Sequence, residues 1–242
     1  MGMNAPAPAW SIVIPAFNEA LRLPPYLEEI IGYFEGRGEP YEVIVVDDGS
    51  RDGTAECVRR VAGAAPVRVI PLAGNEGKGA AVKHGMLAAI GTFRLFADAD
   101  GATPIAELKR LEAALAAGAD VAIASRTVRD PGVSVVAQQH RVVAGRVFNW
   151  LVARLGLPDI GDSQCGFKAF TARAAEVTFG KLRARRFGFD VEVLLLAKRH
   201  GFRIAEVAVN WTDKPGSKVG VLKTGPSMLL EIVRTRLRML RR

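Results

Sequence analysis

The sequence predicts an α/β domain of the doubly wound, Rossmann-like type: a mostly parallel sheet with a C-terminal helical elaboration. Three observations carry this expectation. Short runs rich in Val, Ile, Leu and Ala recur through the first half at strand length. They do not alternate with polar residues, as expected of strands buried on both faces of a parallel sheet. Segments with helical spacing separate each run from the next, the pattern of repeated βα units.

The strand-like runs are Ser11–Pro15, Tyr41–Val46, Val67–Pro71, Phe93–Ala97 and Asp120–Ala124. The helical patterns between them are Pro24–Phe34, Thr54–Val61, Gly79–Ala89 and Ile105–Ala117. After Ser125 the pattern changes. Thr127–Gln139 reads as a loop, and Arg141–Leu155 as a helix with Val143, Val147, Leu151 and Leu155 at helical spacing. Cys165–Phe170 is short and strand-like, Gly188–Lys198 helical, Arg203–Trp211 a strand and Thr212–Gly225 a loop. Pro226–Arg242 is a basic amphipathic helix. The expected organisation is one catalytic domain, residues 1–225, followed by that helix, residues 226–242, with no internal repeat.

Composition narrows the classes. At 242 residues and 49% hydrophobic, the chain can bury a full core. Cys57 and Cys165 lie far apart without a Cys-x-x-Cys partner, so neither a disulfide framework nor a zinc site is expected. The N-terminus lacks a signal-peptide core, and no apolar run approaches the roughly 20 residues that span a bilayer. A cytoplasmic protein is expected. Charge is uneven: residues 1–121 carry 11 Lys and Arg against 16 Asp and Glu, whereas residues 122–242 carry 22 against 9. A basic second half suits an anionic partner, either a phosphate-bearing substrate or a membrane surface. No nucleic-acid motif accompanies it.

The chemistry concentrates at strand ends. Phe96-Ala97-Asp98-Ala99-Asp100-Gly101 closes the fourth strand. Carboxylates two residues apart on extended chain point the same way. A hard divalent cation takes one or two such groups plus substrate phosphates. A polar turn is the ordinary alternative. Ile14-Pro15-Ala16-Phe17-Asn18-Glu19 follows the first strand, Asp47-Asp48-Gly49-Ser50 the second, and Asn75-Glu76-Gly77-Lys78-Gly79 precedes the third helix. All should converge on one crevice at the carboxyl edge of the sheet. The acids suit hydrogen bonds to a base or ribose. Backbone amides around Gly77 and Gly79, with Lys78, suit a diphosphate. Of the histidines, His84 and His200 fall in helical patterns, and His140 begins the basic helix.

On these motifs the chain resembles the family 2 glycosyltransferases of GT-A fold. Within them it is similar to the polyprenyl-phosphate sugar transferases, and nearest to the dolichyl-phosphate β-glucosyltransferases. The motifs are IPAFNE, VVDDGSRDGT, NEGKGAAV, ADADGAT, QCGFKAF, RRFGFDVE and VNWTDKPGSKV, spread from residue 14 to residue 219. The resemblance implies that Pro15, Phe17, Glu19 and Asp47, with Asp48 beside them, hold the nucleoside, and that Lys78 lies near the nucleotide. It implies that Asp98 contacts the ribose or sugar and that Asp100 binds Mg²⁺ or Mn²⁺. Ser125, Arg126 and the basic residues after them, Arg141 included, would approach the acceptor phosphate. Gln164–Lys168 and Asp190–Glu192 would line the sugar and acceptor side, and Ser217 and Lys218 would act from a mobile loop that closes over the donor. The eukaryotic enzymes' N-terminal membrane anchor has no counterpart in the sequence.

The implied reaction is direct displacement at the anomeric carbon with inversion, in which Asp98, Asp100 and Arg126 serve the charge that develops. A phosphate-monoester acceptor is nucleophilic without a strong base, its second pKa being about 6. A hydroxyl acceptor would need one, and Asp190 is the candidate; a first-turn helix acid is the alternative reading. UDP-glucose is the favoured donor and a polyprenyl phosphate the favoured acceptor. GDP-mannose, UDP-N-acetylglucosamine and a soluble acceptor are rivals. A nucleotidyltransferase and a non-catalytic membrane-binding protein are the alternatives from other classes. The C-terminal helix, with Leu229, Ile232, Val233, Leu237 and Leu240 among its arginines, is expected to bring the domain to a membrane surface.

Overall fold

The computed structural model describes residues 7–136, 152–154, 156–214 and 221–240. A seven-stranded sheet forms its centre, built from β1 (Trp10–Ala16), β2 (Tyr41–Asp47), β3 (Val67–Pro71), β4 (Phe93–Ala97), β5 (Val121–Ser125), β7 (Phe167–Thr171) and β8 (Ile204–Ala208) in the order β3-β2-β1-β4-β7-β5-β8. All neighbours pair parallel except β7, which runs antiparallel between β4 and β5. This is the doubly wound, mostly parallel sheet that the unbroken apolar runs predict.

Each inner strand sends successive side chains to opposite faces, and both faces are covered. Ile12, Ile14, Val43, Val45 and Leu95 pack beneath α1 (Leu23–Arg37) and α4 (Leu108–Ala116). Val13, Ile44, Val46 and Phe96 pack beneath α3 (Lys78–Ala88), α5 (Ala172–Lys181) and α6 (Phe189–Arg199). Burial on both sides is why these strands lack polar alternation. Helix α1 buries Leu23, Tyr26, Leu27, Ile30 and Phe34, an i, i+3, i+4 stripe. Its end is set by Gly38, whose φ of 64° is the left-handed conformation that closes helices. Helix α2 (Thr54–Ala62) completes the first layer.

Four elements depart from the expectation. Ile105–Ala117 divides into a 3-10 turn, Ile105–Glu107, and α4. Helix α5 was not expected: its buried residues Ala174, Ala175 and Thr178 are too small to form a visible apolar stripe beside Phe179. The structural signal is instead its cap, where the Thr171 hydroxyl accepts the Ala174 N–H. Arg203–Trp211 splits into β8 and β9 (Trp211–Thr212), and β9 pairs with β6 (Val135–Val136), which lies in the span read as a loop. Finally, α7 (Val221–Leu240) begins before the expected loop has ended, so Gly225 and Pro226 lie inside it. Tertiary packing outweighs these helix-breaking residues. Ile232 joins the core under α6, and Met228 and Thr235 are buried beside it.

The expected helix Arg141–Leu155 lies outside the described residues, apart from a helical turn at 152–154 that sets Val152 into the core. No helix among the described residues is long and apolar enough to cross a membrane.

Candidate active site

Strand order reverses between β1 and β4, and crevices at such switch points take ligands in open α/β sheets. The carboxyl ends of β1, β2, β4 and β5 meet at this edge. Because β7 is antiparallel, its amino end reaches the same edge, with Gln164–Gly166 leading into it. The Asp98 N–H donates to the Gly166 carbonyl at 2.9 Å. A Cβ at Gly166 would lie 2.1 Å from Asp98 Cγ, so only glycine admits the carboxylate there.

On the side of β1 and β2, turns are held by acids. Pro15 is buried in β1 opposite Val46. Asn18, with a φ of 52°, accepts the Arg51 N–H on its side chain, and its own N–H donates to Ser50 Oγ. Phe17 precedes it, half-buried at the crevice. Asp47 Oδ1 accepts the Ser50 N–H at 2.9 Å. Asp48, buried, accepts the N–H groups of Glu76 (2.7 Å) and Gly77 (2.9 Å). Burial pushes the Asp48 carboxyl up, although those two N–H groups pull it down. Its carboxylate therefore fixes the turn that launches Lys78. Gly77 is indispensable to that turn: its φ is 104°, and a Cβ would stand 2.5 Å from the Arg185 carbonyl oxygen.

Lys78 extends from the start of α3 and its Nζ lies 2.6 Å from Asp98 Oδ1. Burial opposes the charge on this ammonium, but Asp98 and Asp190 outweigh it and hold Lys78 protonated above its ordinary range. Asp100 accepts the Ala102 N–H at 3.1 Å and faces Arg22 Nη1 at 3.8 Å. Burial, then Asp98, raises the Asp100 carboxyl. Glu19 is buried and takes both Arg22 Nε (2.7 Å) and Nη2 (2.6 Å). Asp98 and Asp100 supply hard oxygen ligands with a raised acid between them, a set that suits Mg²⁺ or Mn²⁺ completed by water and phosphate oxygens. No cluster of three or more His, Cys, Asp or Glu forms a closed metal cage among the described residues. Two carboxylates would leave the other positions of such a cation to water and phosphate oxygens.

On the side of β5 and β7, charges pair with one another. Arg126 Nε and Nη2 donate to Asp162 at 2.6 and 2.8 Å, its backbone N–H adds a third bond, and its guanidinium lies over Trp211. Burial would raise Asp162, but Arg126 outweighs it and holds the carboxyl below its usual range. Ser125 Oγ is buried and accepts the Thr127 and Val128 N–H groups. Gln164, at the crevice, has its N–H on Asp162 Oδ1. Lys168 is fully buried, its Nζ donating to Asp190 Oδ1 (2.6 Å) and to the Cys165 carbonyl (2.7 Å). Burial raises the Asp190 carboxyl, and Lys168 and then Lys78 act against that. Burial likewise pushes the Cys165 thiol up to about 12. Arg141, Ser217 and Lys218 lie outside the described residues.

Three residues of this edge were not singled out in the sequence. Arg22 touches the acid pair. Asp162 holds Arg126, and Glu206 accepts the Gly161 and Asp162 N–H groups. Asp162 sits two residues before the QCGFKAF motif, and Arg22 three residues after IPAFNE. Proximity to a motif is the only sequence signal for either.

Residues 11–179 match the model of the glycosyl transferase family 2. The chain is 40% identical over 230 residues to a dolichyl-phosphate beta-glucosyltransferase of Drosophila melanogaster, covering 89% of this chain and 71% of the relative. It is 39% identical over 230 residues to the Homo sapiens protein of that name, with the same two coverages. Among solved structures, glucosyl-3-phosphoglycerate synthase from Mycobacterium tuberculosis superposes with a TM-score of 0.70 at 22% identity, covering 96% of this chain and 79% of that one. Mannosyl-3-phosphoglycerate synthase from Rubrobacter xylanophilus superposes with a TM-score of 0.72 at 19% identity, covering 97% and 74%. Both share the fold. By the family match and the identity to these relatives, the chain belongs to glycosyl transferase family 2 and is a glycosyltransferase.

Proposed function

We propose that this enzyme transfers glucose, with inversion, from UDP-glucose to a polyprenyl phosphate of the dolichyl type. The observation that carries the reading is the Asp98–Asp100 pair beside Lys78 at the strand-order switch, in a chain about 40% identical to enzymes named for this reaction. The related fold of glucosyl-3-phosphoglycerate synthase has been crystallised with Mn²⁺, UDP-glucose and phosphoglyceric acid.

In this reading Phe17, Glu19 and Asp47 flank the nucleoside, and Pro15 and Asp48 shape the turns that carry them. Asp100, with Asp98, holds Mg²⁺ or Mn²⁺, which when bound offsets negative charge on the departing diphosphate. Lys78 moves from Asp98 to a phosphate oxygen as the donor enters. On the far side Arg126 meets the acceptor phosphate with the nitrogen that Asp162 leaves over, beside Ser125 and Gln164; Arg141, Ser217 and Lys218, outside the described residues, are assigned to the acceptor by the family resemblance alone. A phosphate acceptor is already ionised at neutral pH. Asp190, held on Lys168, then has no proton to remove and keeps the charges on α6 and β7 in place.

The lipid side of the reading rests on α7. Ile232 is not available to a membrane, since it is buried in the core. Leu230, Val233 and Leu237 remain exposed at helical spacing, with Arg234 beside them. Such a face lies in the headgroup plane without spanning it.

The test is product analysis. The protein is incubated with Mn²⁺ or Mg²⁺ and UDP-glucose, GDP-mannose or UDP-N-acetylglucosamine, with polyprenyl phosphate or with 3-phosphoglycerate. Glucosyl polyprenyl phosphate from UDP-glucose alone is expected. Transfer to the soluble phosphate in place of the lipid, or from a guanosine donor, overturns the assignment.

A further inference from the structure

We propose that Arg22 is a ligand of the donor's diphosphate, with Glu19 as the residue that positions it. The inference rests on the nucleotide-sugar reading above and adds a residue to it. Arg22 sits at the start of α1, outside the strand-end motifs. Two of its three guanidinium nitrogens are taken by the Glu19 carboxylate, a bidentate fork that fixes the plane of the group. The third, Nη1, is shielded from solvent and makes no hydrogen bond among the described residues. It faces Asp100 Oδ2 at 3.8 Å, an ion-pair distance beyond hydrogen-bond reach.

A shielded N–H donor without an acceptor is costly, and one aimed into a crevice calls for an incoming acceptor. What it can accept is restricted by charge. A guanidinium cannot ligate a metal ion, and a dication on Asp100 would repel it. Its partner is therefore an anionic oxygen that arrives beside the cation, and the donor's diphosphate is the group that brings both together. Lys78 stands at Asp98 and Arg22 at Asp100, so the two acids are flanked by two fixed cations. Glu19 also receives support from below, since its N–H donates to Thr54 Oγ1 at 2.8 Å. The fork is thus tied to the start of α2.

The experiment is titration calorimetry with Mn²⁺ present, using UDP and UMP, with GDP and GMP in parallel, on wild type and on Arg22→Gln, Arg22→Lys and Glu19→Gln. Arg22→Gln is expected to weaken the diphosphate roughly tenfold or more, the range for a charge-assisted hydrogen bond, and the monophosphate far less. Arg22→Lys should recover part of the loss, and Glu19→Gln should lose part by freeing the fork. Mn²⁺ binding without nucleotide, read by electron paramagnetic resonance, separates the rival role. If Arg22→Gln tightens Mn²⁺ and leaves the ratio of diphosphate to monophosphate affinity unchanged, Arg22 only neutralises Asp100 and the proposal falls. Equal weakening of both nucleotides also overturns it, since the residue then serves the nucleoside. Should Arg22→Gln not fold, the same ratio in Arg22→Lys decides. Failure of the wild type to bind either nucleoside diphosphate overturns the donor reading itself, and this inference with it; binding that Arg22→Gln leaves unchanged overturns only the inference.

Discussion

At the proposed donor side of the sheet edge, the carboxylates that follow β2 hold backbone. Asp47 accepts from Ser50, Asp48 from Glu76 and Gly77, and Asp52 from Ala20 and Thr54. At the acceptor side, charged side chains hold each other: Arg126 with Asp162, Lys168 with Asp190, and Glu192 with Thr235 and Arg238 of α7. Acids that brace turns leave the cations around them facing a crevice. Of the acceptor-side pairs, Lys168–Asp190 is buried on both partners and is committed to the fold, because removing either one strands a charge. In the proposed reading the same residue types face substrate where they stay partly exposed and serve architecture where both partners are buried, and substitutions should separate the two.

The largest effect is expected at the buried pair. Lys168→Met leaves Asp190 unpaired and should cost about 3–5 kcal/mol of stability, read by chemical denaturation. Lys168→Met combined with Asp190→Leu should recover most of it, since no charge is then stranded. A stable single variant that has lost only activity would break the comparison and return Lys168 to the acceptor. On the donor side Asp100→Asn should do the opposite. By the proposed mechanism it removes a charge that stabilises the leaving group, worth about 10²- to 10³-fold in rate. The Asp100 side chain is 23% exposed, and its one backbone bond survives in Asn, so the melting curve should stay put. Near-normal turnover, or full activity in excess EDTA, would remove Asp100 from the metal.

That contrast also explains what could be read in advance. The donor side was legible because its contacts are short in sequence and sit in compact motifs: a strand of Val and Ile, then Asp-Asp-Gly-Ser or Asp-x-Asp. All five first-half strands end within one residue of the expected position, and the second-half departures share a cause. Strand β7 takes its place between β4 and β5 through pairings 45 or more residues apart, antiparallel in a parallel sheet. Arg126 and Asp162 are 36 residues apart, and Glu192 and Arg238 are 46. Nothing local marks such partners. Arg22 was missed differently: it lies near a motif, but its role depends on which nitrogen its neighbour Glu19 leaves over.

A pH series sharpens the acceptor side. The Asp162 carboxyl titrates below its ordinary value of 3.8 in the folded chain, so its pairing with Arg126 stabilises the fold above that pH and is lost as pH falls through the lower, folded value. Asp162→Asn should therefore cost about 1–3 kcal/mol at pH 7 and progressively less on acidification below pH 4. Denaturation curves of both proteins at pH 7 and pH 3 measure the gap. A gap that does not shrink would mean that Asp162 matters through shape and its backbone bonds alone.

The smallest effect on the isolated protein is expected on the outer stripe of α7, a helix whose two uses can be parted. Sequence spacing alone groups Ile232 with Val233 and Leu237, but the fold divides them: Ile232 is 1% exposed, while Leu230 and Leu237 are half exposed. Deleting the helix would therefore test folding and membrane contact at once, because Ile232, Thr235 and the Glu192 bonds would go together. Replacing Leu230, Val233 and Leu237 by Ser touches only the outer stripe. Surface changes of this kind stay within about 0.5 kcal/mol each, so melting and activity on a detergent-dispersed acceptor should hold. Flotation with anionic liposomes should fall, and the remaining binding should depend on salt, as expected if Arg234 and its neighbours each contribute about 1 kcal/mol at a charged surface. Ile232→Ala should show the reverse, a loss of about 2–5 kcal/mol in stability with flotation of the folded fraction unchanged. If the triple Ser variant floats like wild type, the outer stripe is not the membrane contact, and the acceptor must reach Arg126 by another face.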